Sequence, residues 1–195
     1  MPGPYGKTIA HIRELFRDPR DIGSVCPSSH FLADTMASAI SPTLIRSGRF
    51  VELGAGTGPV TEALLKHGVQ PERLYVVEKS EALAKCLSER FPRVNVLCCG
   101  ADDIAGRIGD GPPVKAVVSS LPFRSLPENI SRLIMSELER VLAPGGLYIQ
   151  FTYALIGEMP FVPAHFRKLR SKIVLRNVPP AKVEVFRKPK RREAA

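Results

Sequence analysis

The sequence predicts an α/β fold: a mostly parallel sheet with helices on both faces, closed by a terminal β-hairpin. Three observations lead there. From Arg49 onward, short β-type apolar runs alternate with helix-length amphipathic segments. A glycine-rich turn, Gly54-Ala55-Gly56-Thr57-Gly58, joins the first such run to the first helix of the alternation. The last two β-type runs are separated only by Val178-Pro179-Pro180-Ala181, too short a link for a parallel crossover, so they pair antiparallel. Five parallel strands and this hairpin make seven.

In chain order, residues 1–48 precede the sheet as a helical extension, and residues 49–195 form the main domain. Within the extension, Ile9, Ile12, Leu15 and Phe16 fall at helical spacing over 7–17, with Lys7, His11, Arg13 and Arg17 mostly off that stripe. Pro27-Ser28-Ser29 offers an N-cap for a second helix through Ile40, with Phe31, Leu32 and Met36 inward. Strands follow at 50–53, 74–78, 94–97, 114–119 and 147–153. Helices are predicted at 59–67, 80–90 and 128–142, the last stopped by Pro144-Gly145-Gly146. A loop or short helix fills the stretch to Gly111, and the hairpin strands are 173–177 and 182–186.

Of the 195 residues, 44% are hydrophobic, enough for one well-packed domain and too few for two. No apolar run reaches the roughly 18 residues of a membrane span, and the N-terminus has no apolar signal core. A cytoplasmic protein is expected, free to touch a membrane surface. The four cysteines, Cys26, Cys86, Cys98 and Cys99, form no CxxC pair, so reduced thiols and no metal site are expected. The net charge of +9 is localised. Residues 1–164 carry 17 basic and 17 acidic side chains, whereas residues 165–195 carry 11 basic and 2 acidic ones. Such an excess attracts a polyanion, either nucleic acid or an anionic membrane face.

The glycine turn makes the domain Rossmann-like. Glycines there allow a tight turn and a close approach of backbone to ligand. Glu52 ends the strand just before them, and the third glycine comes two residues after the second rather than three. Glu78 ends the next strand after Val76 and Val77, where a carboxylate can accept both ribose hydroxyls of an adenosyl group. These residues resemble the seven-stranded class I methyltransferases over about 49–187. The resemblance implies S-adenosylmethionine as cofactor and S-adenosylhomocysteine as product. It implies that Gly54, Gly56 and Gly58, with Ala55 and Thr57, pass under the methionyl and ribose parts. Glu52 then orients the cofactor's amino group, Glu78 holds the ribose, and Lys79 lies beside the adenine. That family usually carries Gly-Asp-Ala at the end of the third strand. Here the run is Cys99-Gly100-Ala101-Asp102, so Gly100 replaces the aspartate. The Ala101 amide can still meet the adenine ring, and Asp102 or Asp103 can take over its amino group.

Ligands of open α/β sheets lie beyond the carboxyl ends of the strands, so Ser119-Ser120-Leu121-Pro122-Phe123 faces the methyl group. Adenine N-methylating enzymes have Asn/Asp-Pro-Pro-Tyr or Asn-Leu-Pro-Tyr here. Ser120 stands in the Asn position and is too short for the same contact, which counts against an extruded adenine. The runs Ser24–Ser29, Val51–Gly58, Ser119–Pro122 and Gln150–Tyr153 together resemble the bacterial phospholipid N-methyltransferases. That resemblance implies methylation of phosphatidylethanolamine towards phosphatidylcholine. A monomer peripheral to the inner face of the plasma membrane is expected, with an anionic membrane surface and the aminolipid as partners and with neither metal nor obligatory nucleic acid. Tyr5, Tyr153 and His30 are candidates for orienting or deprotonating the amine. Phe123 and Tyr153 can also face a methylated ammonium through cation–π contact. The helix at 7–17 can lie in the membrane interface, and Met159–Lys172, with Phe161, Val162, Phe166 and Leu169 among four basic residues, reads as a second such helix. Two other readings are a nucleic-acid adenine methyltransferase, which the basic C-terminus suits, and a non-catalytic binding protein that keeps the turn as scaffold.

Overall fold

The structure is a computed structural model that describes residues 30–190. The helix expected at 7–17, Tyr5, the Ser24–Ser29 run and the terminal Arg191 and Arg192 lie outside the described residues.

The expected alternation is present. Helices α1 (His30–Ala37) and α2 (Pro42–Ile45) lead into β1 (Arg49–Leu53), α3 (Pro59–Lys66), β2 (Leu74–Glu78) and α4 (Glu81–Arg90). Then come β3 (Asn95–Cys98), α5 (Ile104–Ile108), β4 (Val114–Ser119), α6 (Glu128–Val141), β5 (Leu142–Thr152), β6 (Arg167–Val174) and β7 (Ala181–Arg187). The strand order is β3-β2-β1-β4-β5-β7-β6. Strands β1 to β5 run parallel, and β7 lies antiparallel between β5 and β6.

The helices form where the sequence buries one stripe. On one face of the sheet, Leu32 and Met36 of α1, Leu64 of α3 and Leu87 of α4 pack on Phe50, Val76 and Ile149. On the other, Ile104 of α5 and Ile134 and Leu138 of α6 pack on Val51, Val117 and Tyr148. Beneath the sheet, buried Arg49 donates to the carbonyls of Pro112 (2.6 Å), Ile108 (2.9 Å) and Gly109 (3.2 Å), which pins the turn that feeds β4.

Four expectations change. The helix through Ile40 stops at Ala37, and α2 starts anew where the Ser41 hydroxyl accepts from Leu44 N (3.3 Å) and Pro42 opens the turn. Strand β5 starts at Leu142 rather than 147, because the backbone of Gly145 and Gly146 pairs with Lys188 (3.0 Å each). The first hairpin strand is 167–174, not 173–177. The basic and apolar segment Met159–Lys172 is therefore not a helix. Pro160 and Pro163 interrupt any helical ladder, Met159 and Phe166 are buried against the second face, and from Arg167 the chain runs as an exposed edge strand.

Candidate active site

The strand order reverses between β1 and β4, the switch point beyond whose carboxyl ends open α/β sheets bind their ligands. Two segments flank it. The glycine turn leaves β1, and Ser120–Phe123 leaves β4. They are joined at the root, where Leu53 pairs with Ser119 and the Ser120 amide donates to the Leu53 carbonyl (2.9 Å).

The turn is closed from below. Gly54 N donates to Val77 O (2.9 Å) and Gly58 N to Ala55 O (2.9 Å). Gly54 has φ +70°, the left-handed region that favours glycine, and a Cβ on it would displace the Leu121 side chain, whose Cδ2 would lie at 2.7 Å. Gly56, at φ +58°, is different: a Cβ there would meet nothing within 4 Å, so the turn has open room above it.

Two carboxylates sit under the turn. Glu78 Oε2 accepts from Gly56 N (2.9 Å) and its Oε1 from Ser80 N (2.9 Å), which fixes the carboxylate against the glycines and leaves further lone pairs for a ligand. Glu52 is fully buried. The Thr61 hydroxyl of α3 donates to its Oε2 (2.6 Å), while Oε1 has no hydrogen-bond partner among the described residues. Burial pushes the Glu52 carboxyl up to about 7; the Thr61 bonds pull it down in part, and the charge of Glu78 raises it further.

The other predicted residues are distributed around this centre. Lys79 is exposed just past Glu78, and Ala101 is buried at the start of a single 3-10 turn, Ala101–Asp103. Asp103 is engaged by Arg107 (2.8 Å), whereas Asp102 is exposed with its carboxylate folded over Gly100. The Ser119 side chain is buried and accepts from Leu121 N (3.3 Å), and Ser120 is half-buried. Tyr153 follows β5, edge-on to Phe151 at 5.4 Å with its hydroxyl buried. His30 opens α1 exposed, against Phe31. Phe123 departs from expectation. It is 3% exposed in the second core cluster, so its ring is spent on packing and does not face the acceptor.

Sequence reasoning missed the device that fixes the β4 loop. Gln150 Nε2 donates to Leu121 O (2.9 Å) and to Phe151 O (2.8 Å), and its Oε1 accepts from the Tyr148 hydroxyl (3.0 Å). Burial holds the Tyr148 hydroxyl well above the ordinary tyrosine range, so it stays a donor. Two polar residues at i and i+2 in an otherwise apolar central strand were the available signal.

Known proteins agree with this geometry. A profile of the methyltransferase domain matches residues 50–146. An ornithine lipid N-methyltransferase of Singulisphaera acidiphila is 33% identical over 184 residues, which covers 86% of this chain and 89% of that protein. The chain belongs to the class I S-adenosylmethionine-dependent methyltransferases. A second relative, a probable ribosomal RNA small subunit methyltransferase A of Halobacterium salinarum, is 32% identical over 126 residues, covering 56% of this chain and 42% of that protein. Among solved structures, the N-methyltransferase NodS of Bradyrhizobium japonicum, in complex with S-adenosylhomocysteine, has a TM-score of 0.67 at 14% identity, covering 94% of this chain and 99% of its own. A TehB-like methyltransferase from Corynebacterium glutamicum has a TM-score of 0.64 at 14% identity, covering 94% and 98%. Both show the fold of the methyltransferase.

The residues present in this methyltransferase fit its cofactor. The open room over Gly56, the braced Glu78 carboxylate and the unsatisfied Glu52 Oε1 offer space, a hydroxyl acceptor and a buried acidic atom under one turn.

Two predictions arise here. The folded state holds the Glu52 proton up to about pH 7, whereas an unfolded glutamate releases it near 4.5. Its contribution is therefore fully present below the unfolded value and lost as pH rises through the folded one. Relative to Glu52→Gln, the wild type should lose on the order of 3 kcal/mol between those limits; denaturant titrations whose difference stays flat with pH would refute this. Gln150→Leu strips a partner from the buried Tyr148 hydroxyl and from the half-buried Leu121 and Phe151 carbonyls and should cost about 2 kcal/mol. It should also lower kcat more than it weakens cofactor binding, which calorimetry alongside steady-state kinetics will separate.

Proposed function

We propose that this chain transfers methyl groups from S-adenosylmethionine to the headgroup amine of a membrane aminolipid. The observation that carries the reading is its end-to-end similarity to an ornithine lipid N-methyltransferase. That similarity spans 89% of the relative's length, against 42% for the ribosomal RNA methyltransferase. The acceptor loop supports it. Ser120 replaces the Asn that would hold an adenine amine, and buried Phe123 leaves no ring beside it to stack on an extruded base. Ornithine lipid and phosphatidylethanolamine both carry a primary ammonium on a lipid, and the proposal covers either, including the series from phosphatidylethanolamine to phosphatidylcholine. No helix among the described residues is long and apolar enough to cross a membrane, so such an enzyme would reach its substrate from the surface.

The cofactor, when bound, supplies an electrophilic methyl group on a sulfonium sulfur. The chain's own residues supply binding and position. Glu78 offers its spare lone pairs to the ribose hydroxyls. Glu52 gives up its proton and balances the ammonium of the methionyl end. Ala101, Asp102 and Lys79 line the adenine end, and Gly54–Gly58 with the backbone of Ser119 and Ser120 wall the methyl side. The acceptor ammonium, with an ordinary pKa of about 10, must lose a proton before it can attack. Tyr153, His30 and Tyr5 are the groups that would orient it or pass that proton to water. Much of the acceleration comes from holding the amine in line behind the methyl carbon.

The decisive assay offers labelled S-adenosylmethionine with vesicles of ornithine lipid, vesicles of phosphatidylethanolamine, or ribosomal RNA. Label is expected in lipid; label in RNA alone would overturn the proposal. Glu78→Ala should weaken cofactor binding by at least tenfold, a loss of about 1.5–3 kcal/mol for hydrogen bonds to a charged group. Calorimetric titration that finds unchanged affinity would mean the ribose contact is misassigned.

A further inference from the structure

The sheet edge that carries the site also carries the most exposed large aliphatic side chains among the described residues. Ile156 is 91% exposed, Val178 81% and Leu175 75%. They belong to two loops that leave the sheet at the same level. Thr152 of β5 pairs with Lys182 of β7, and Val174 of β6 pairs with Ala181, so residues 153–158 and 175–180 both project past the carboxyl end of β5. The loops are tied in place. Lys182 Nζ donates to Gly157 O (2.8 Å), and Arg124, from the segment after the acceptor loop, donates to Glu158 O (2.9 Å). The two apolar tips therefore flank the acceptor side of the switch point.

Along this segment the charge is one-sided, although Asp34 of α1 lines the same groove as Lys172 and Arg176. Between Tyr153 and Val183 there are six Arg or Lys and one carboxylate, Glu158. Lys168 and Lys182 are taken up by buried Glu184. Arg167, Arg170, Lys172 and Arg176 are exposed and have no carboxylate partner among the described residues. Arg176 sits between the two exposed side chains of its loop, its guanidinium 5.1 Å from the Phe31 ring.

Bare aliphatic tips with a basic collar fit one occupant. A nucleic acid rewards aromatic stacking, and these tips are Leu, Ile and Val. A second copy meeting edge to edge along β6 would bring the same basic residues together, an arrangement that edge strands use to prevent pairing. An anionic bilayer rewards both parts at once, through apolar burial below the headgroups and ionic attraction at them.

We propose that the loops around Ile156 and around Leu175–Val178 form a two-pronged wedge that seats in an anionic bilayer, with Arg176 and Lys172 at headgroup level and the β4 loop turned to the lipid amines. This deepens the aminolipid reading and rests on it for its purpose, but its test is separate. The full chain is sedimented with vesicles of phosphatidylglycerol and phosphatidylcholine that contain no aminolipid. The pair Ile156→Asp and Leu175→Asp should reduce partition by about tenfold or more, and Lys172→Glu with Arg176→Glu should remove most of its salt dependence. Methylation of a monomeric short-chain aminolipid should be the same in wild type and the aspartate pair, because no membrane is involved. Circular dichroism checks folding, and the milder pair Ile156→Ser and Leu175→Ser substitutes if the aspartates disturb it. Equal vesicle binding by wild type and tip variants overturns the wedge, as does binding of RNA in place of vesicles. Loss of monomeric-lipid methylation by the tip variants also overturns it, since the tips would then belong to the acceptor pocket. Tip-dependent vesicle binding by a wild type that methylates no lipid upholds the wedge and counts against the function instead.

Discussion

The parallel pairing of β1 with β4 is the constraint on which the rest of the site depends. It is the join at which the strand order reverses, and its last rung sets Leu53 opposite Ser119. From that rung the backbone departs in two directions, one into the glycine turn and one into the acceptor loop, and the Ser120 amide keeps them in contact through the Leu53 carbonyl. The Leu121 side chain lies against Gly54, whose φ of +70° suits glycine. The spacing of the glycine turn from the β4 loop is thus set by main-chain hydrogen bonds in the middle of a buried sheet, where water does not compete.

The charges near this join are managed in contrasting ways. Glu78 accepts from two backbone donors, Gly56 and Ser80, which hold its carboxylate in position against the glycine turn. Glu52 has a single hydroxyl donor and full burial, and near neutrality it is poised between its two forms. Farther along, Glu184 is as deeply buried, but Lys168 and Lys182 lie against it and tie β7 to β6 and to the loop at Gly157. The last arrangement is closed by the chain's own cations, whereas the first two lie under the glycine turn. What separates them is whether the compensating partner belongs to the chain.

Much of this was legible in the sequence, because the informative features are local. Gly54–Gly58 sit within five residues, Glu52 and Glu78 lie at the ends of strands that their own β-type patterns mark, and a short connection between the last two strands, 175–180 in the structure rather than Val178–Ala181, required the antiparallel hairpin. The errors came where local pattern was ambiguous or overruled by distant contacts. Residues 159–172 mix apolar and basic side chains at spacings compatible with either a helix or a strand, and the prolines at 160 and 163 were the underweighted cue. Phe123 looked available because it follows a loop motif, yet the apolar surface of α5 and α6 takes it inward. The lock made by Tyr148, Gln150 and Leu121 joins residues 29 apart, and no periodicity announces such a contact.

That lock also gives meaning to the irregular start of β5. Helix α6 ends at Val141 and the strand begins at Leu142, but the pairing with β4 slips between Leu142, opposite Val114, and Leu147, opposite Ala116. A strand has a period of two, so its faces are assigned by counting along its regular run, which here starts at Leu147. One extra residue between Leu147 and Gln150 would exchange the faces and turn Gln150 away from Leu121 while each element kept its own secondary structure. The irregular stretch Ala143–Gly146 is the place where a change of length between helix and strand can be absorbed without moving the lock.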